Sequence, residues 1–123
     1  MSLKTSFTLF SIFAGIFALV FLLIPETVLS MYGSSSITMG SVLMARFFGS
    51  ALLAIALITF YLKNAEFTKE VKLVVLALLI SEIVGFLVAL WAQLTNLVNS
   101  YGWFTVIHYA FFTIVLYTVY KKK

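Results

Sequence analysis

The chain of 123 residues has no cysteine, one proline and one histidine. Without cysteine it has no disulfide, no thiolate metal site and no thiol nucleophile. A lone histidine cannot build the usual zinc set or a bis-histidine haem, so no metal or other cofactor is expected. Charge is scarce as well. Four acidic and eight basic residues make up 10% of the chain, where soluble domains carry about 25%. No motif pairs a serine with His108, no glycine-rich phosphate loop occurs, and no two carboxylates stand at acid/base spacing. These absences lean away from an enzyme. The net charge of +4 is spread along the edges of apolar runs, and a chain with no solvated basic face is not expected to bind nucleic acid.

Apolar sequence fills the rest. Hydrophobic residues make up 63% of the chain and the mean hydropathy is +1.16. A soluble fold of this size could not hide so much apolar surface, so an all-α integral membrane protein is expected, with 1–123 as a single transmembrane domain. Runs near the length that crosses a bilayer as helix, about 20 residues, fall at 7–24, 41–62, 71–94 and 103–120. Pro25 stops the first, and 26–32 reads as a short interfacial helix with Val28, Leu29 and Met31 turned inward. The first run exceeds the roughly 7–15 apolar residues of a signal peptide and no small-residue cleavage site follows, so it reads as an uncleaved span. The short linkers predict a four-helix bundle with antiparallel, closely packed neighbours.

Lys4, Lys63, Lys69, Lys72, Lys121, Lys122 and Lys123 all fall on one side of this topology, and the other side has no lysine. The positive-inside rule then places both termini in the cytoplasm. The expected location is the prokaryotic plasma (inner) membrane. Trp91, Tyr101 and Trp103 mark the outer boundary, and Tyr61, Tyr117 and Tyr120 the inner one.

Arg46, Glu82 and His108 lie inside the spans, and Gln93 joins them as a candidate polar cluster. An intramembrane charge costs roughly 2.5–3.5 kcal/mol at mid-span, so each needs a partner or a path to water. From the helical rise, Arg46 and His108 lie about 8 Å beneath the outer boundary and Glu82 nearer the midplane. Three readings of Arg46 stay open: snorkelling to the headgroups, a structural pair with Glu82, Gln93 or loop carbonyls, and binding of an anion or substrate. Glu82 is either half of a buried ion pair or a protonated acid hydrogen-bonded to a neighbour. His108 reads as an interhelical hydrogen-bonder or a ligand, and Asn96 and Asn99 as loop polarity.

Helical spacing supplies packing faces. Ser81, Gly85 and Ala89 make a small-xxx-small ladder that lets helices approach closely in lipid. Ser11, Gly15 and Ala18 offer a similar face on the first span. Arg46, Gly49, Ser50, Leu53 and Leu57 share a face of the second. These smaller faces are expected to meet at the centre, leaving the phenylalanines mostly to face lipid or fill gaps.

The stretches "IPETVLSMYG" (24–33) and "ARFFGSALLAIAL" (45–57) have a proline after the first span, a Tyr-Gly turn and an Arg-x-x-Gly opening the second. Here these are Pro25, Tyr32 followed by Gly33, and Arg46 with Gly49. Over 7–62 the chain resembles small four-helix bacterial membrane proteins of unknown function near the DoxX-like group. The resemblance implies a four-helix bundle and brings no activity with it. The leading expectation is a non-enzymatic accessory or assembly subunit, partnered by the lipid bilayer and by another membrane protein or itself. The alternative is a small carrier or lipid/hydrophobe-binding protein, with an outer-leaflet polar pocket around Arg46, Glu82 and His108.

Overall fold

The computed structural model describes residues 1–122; Lys123 of the basic tail lies outside them. The fold is all-α: α1 (Leu3–Leu23), α2 (Pro25–Met31), α3 (Met39–Leu62), α4 (Lys69–Leu94) and α5 (Gly102–Tyr120). All but α2 are long and apolar enough to cross a membrane. The 21 residues of α1 span about 31 Å, close to the thickness of a hydrocarbon core.

Local chemistry sets the boundaries. α1 starts earlier than its apolar run because the Ser2 hydroxyl accepts the Thr5 backbone N–H at 3.1 Å. At α3, Thr38 and Ser41 form a reciprocal capping box, each side chain accepting the other's backbone N–H at 3.1 and 3.0 Å. Pro25 opens α2 at its first position, where a missing N–H costs nothing, after Ile24 has broken out of helical geometry. Two helices end in Schellman motifs. Gly33 (φ 89°) closes α2, with Ser34 N–H donating to Leu29 C=O. Asn96 (φ 54°) closes α4, with Leu97 N–H donating to Ala92 C=O.

The long helices form two antiparallel pairs, α1 with α3 and α4 with α5. Gly49 brings α3 against α1: a Cβ there would stand 3.0 Å from the Ala18 carbonyl oxygen and from the side chains of Phe21 and Leu22. Gly15 faces Ala56 in the same interface. On the other pair, Gly85 seats the Tyr109 ring against the α4 backbone, and Gly102 seats the Gln93 side chain. Contacts between α1 and α5 join the pairs, through Phe10 edge-on to Phe112 (4.8 Å between centroids) and Phe13 near the same ring (5.5 Å).

Two expectations can be set against the packing, and the first needs correction. First, α3 and α4 hardly touch although only 63–68 separates them. The helices therefore run in the order α3, α1, α5, α4, and the close antiparallel packing skips this neighbour. Second, the phenylalanines divide between the two roles expected of them, facing lipid and filling gaps. Phe7, Phe10 and Phe112 are buried with Val75, Leu79 and Leu116 in a core drawn from all four long helices. Phe47, Phe60 and Phe111 are among those exposed. The core fills the end of the molecule that carries the termini. At that end Lys63 Nζ lies 3.9 Å from the Phe60 ring centroid and Lys72 Nζ 5.0 Å from that of Tyr120.

Candidate functional site: an aromatic cavity between the helix pairs

Away from the termini the two pairs part, and a half-open cavity of about 400 Å³ lies between them. α1 supplies Phe10, Phe17 and Phe21 to its wall, and α3 supplies Phe48 and Leu52. From α5 come Thr105, His108, Tyr109 and Phe112, and from α4 Ser81 and Glu82. Val28, Leu29 and Tyr32 of α2 cover it at the far end.

This covering helix is held by polar ties to the start of α5. The Tyr32 and Thr105 hydroxyls are hydrogen-bonded. Asn99 donates from Nδ2 to the Met31 carbonyl at 2.8 Å, and its backbone N–H donates to the Tyr32 carbonyl at 3.1 Å. Asn99 thus acts as a tether where its sequence suggested only loop polarity.

Glu82 is the one acidic residue of the wall. It is 7% exposed, and its Oε2 is buried without a hydrogen-bond partner. His108 is wedged among rings: Phe17 at 5.3 Å, Phe112 at 4.9 Å and Phe13 at 5.7 Å between centroids. Its neighbours are aromatic faces and edges, which orient the imidazole by packing.

The structure brings Glu82 and His108 together on one cavity and sets Arg46 apart. Arg46 is exposed on α3 and lines a separate outer groove with Glu26, Thr38 and Met39. The buried stripe of α3 runs through Ala45, Gly49, Ala56 and Thr59; of the face expected through Arg46, Gly49, Ser50, Leu53 and Leu57, only Gly49 lies on it. Small side chains explain the choice, since α1 can approach only over alanine and glycine. Gln93 stays near the α4–α5 loop, its Oε1 buried without a partner beside Gly102. Of the expected packing residues, Gly15, Gly49 and Gly85 sit at interfaces, Ser11 and Ala89 are partly buried, and Ser81 is exposed at the cavity. The Ser11 hydroxyl donates to the Thr8 carbonyl of its own helix at 2.9 Å.

Thr105 and Tyr109 enter the site without having been singled out in the sequence, and Tyr32 had been marked only for its turn with Gly33. A tyrosine beside the only histidine in an apolar span was the available signal for Tyr109, and the helix-interior Gly85 was the signal for a bulky neighbour. Among the described residues no three His, Cys, Asp or Glu side chains converge as metal ligands would. No protein-family model, curated protein or solved structure matches the chain, so the functional reading rests on the cavity.

Proposed function

We propose that this protein binds a small hydrophobic molecule taken from the bilayer, as a carrier or hydrophobe-binding protein. The observation that carries the reading is the cavity of about 400 Å³, walled by aromatic rings with a few convergent polar groups. That combination of size and lining is typical of small-molecule sites. We infer that a lipid-dissolved ligand enters between α3 and α4, which make few contacts although both line the cavity. Ser81 of α4 is exposed and on the cavity wall, as a residue at such an entrance would be. With the lysine-bearing end in the cytoplasm, the cavity lies in the outer half of the bilayer. Exposed apolar side chains on every long helix suit lipid as well as a protein partner, so they give the accessory-subunit reading no separate support.

Photolabelling tests this. A neutral photoreactive hydrophobe such as benzophenone, added to vesicles containing the protein, is expected to label cavity residues saturably, and Ser81→Phe should block that labelling by filling the entrance. Labelling that stays unsaturable, spreads over the outer helix faces and ignores Ser81→Phe contradicts the proposal.

A further inference from the structure

The cavity has a chemical sign as well as a size. Glu82 is the one carboxylate on its wall, and no lysine or arginine lines it among the described residues. Arg46, the countercharge available in the outer half of the chain, lines the other groove. Glu82 lines the cavity, and its buried Oε2 has no hydrogen-bond partner among the described residues. A buried acceptor left unpaired costs about 1–3 kcal/mol, more when charged, and a ligand that donates to it recovers that cost on binding.

The walls point the same way. Phe10, Phe17, Phe21, Phe48 and Phe112 line the same cavity as Glu82. Aromatic faces carry partial negative charge and attract ammonium groups, more strongly when water is excluded. The Tyr32 and Thr105 hydroxyls bond each other, and His108 is packed among Phe13, Phe17 and Phe112. An unpaired carboxylate inside a ring-lined, lysine-free cavity selects for positive charge.

We propose that the ligand is a lipophilic amine bound as its cation, its N–H donating to Glu82 and its apolar body lying among the phenylalanine rings of α1 and α5. This rests on the hydrophobe-binding reading and adds the charge of the ligand to it. A neutral hydrophobe and an acidic one are the alternatives, and the same cavity would hold either with no use for Glu82.

Three probes share one body and differ in charge: diphenylmethylamine, cationic at neutral pH, neutral diphenylmethanol, and anionic diphenylacetate. Equilibrium dialysis of the full chain in detergent compares them on the wild type, Glu82→Gln and Glu82→Asp. The amine is expected to bind the wild type at least about tenfold more tightly than the alcohol, as an added charge-assisted hydrogen bond implies. Glu82→Gln should erase that preference while leaving the alcohol's affinity unchanged. Glu82→Asp, which keeps the charge, should retain a preference for the amine. Equal binding of amine and alcohol by the wild type, a preference for the alcohol or the acid, or an amine preference that survives Glu82→Gln overturns the cation assignment and leaves the hydrophobe reading standing. Failure of all three probes to bind the wild type overturns both.

Discussion

At the scale of single residues, Gly85 and Gly49 look alike in sequence but constrain different things. A Cβ at Gly85 runs into the Tyr109 ring, a side chain that can move or be removed. A Cβ at Gly49 meets the Ala18 carbonyl oxygen at 3.0 Å, which moves only if α1 moves. Gly85→Ala gains about 1 kcal/mol of helix propensity against an overpacking cost of about 1–3 kcal/mol, so a net loss of up to about 2 kcal/mol is expected. Thermal unfolding in detergent should show that loss, and the double variant with Tyr109→Ala should show it cancelled by coupling between the two sites. Gly49→Ala should destabilise too, without recovery when Leu22 is cut to alanine. If Gly85→Ala is insensitive to Tyr109, the two residues do not meet as described.

The same scale shows what could be read in the sequence. Gly49 and Gly85 were legible as packing residues because small side chains at helical spacing have few other uses in lipid. The charged residues were legible as unusual, and their separation was not. One residue along a helix is a rotation of about 100°, and that single step divides Ala45, which is buried, from Arg46, which is exposed. Apolar periodicity cannot resolve such a step when every face of the helix is apolar. The burial of Phe7, Phe10 and Phe112 escaped for the same reason.

At the scale of elements, α2 is the part whose role the sequence least revealed. Its existence followed from Pro25 and the Tyr-Gly turn, since a proline suits a helix start and a glycine its end. Its position over the cavity depends on Asn99 and Thr105, far away in the chain, and nothing local records such a tie. Asn99 also accepts the Tyr101 backbone N–H at 3.0 Å, so one side chain holds both α2 and the turn before α5. Asn99→Ala removes both bonds. Each is worth about 1 kcal/mol, so amide exchange in 25–33 should quicken by about tenfold or somewhat more, with α4 unchanged. Unchanged exchange in that segment would mean that the Asn99 side chain does not hold α2.

At the scale of the whole molecule, two helix pairs pack firmly at the end that carries the N-terminus and part around a cavity at the other. The four candidate spans and the shared end of the described lysines were legible because length and charge placement are properties of the chain itself. The order α3, α1, α5, α4 was not, because short linkers say which helices are near in sequence and not which pair tightly. That order leaves α3 and α4 hardly touching, with the cavity lined from both. The natural absence of cysteine makes this claim directly measurable with single cysteines and a small membrane-permeant methanethiosulfonate. Ser81→Cys and Thr105→Cys, on the cavity wall, are expected to react readily and to be protected by diphenylmethylamine. Val75→Cys and Leu116→Cys, fully buried in the core, are expected to stay inert. Cavity positions as inert as the core positions would contradict the account.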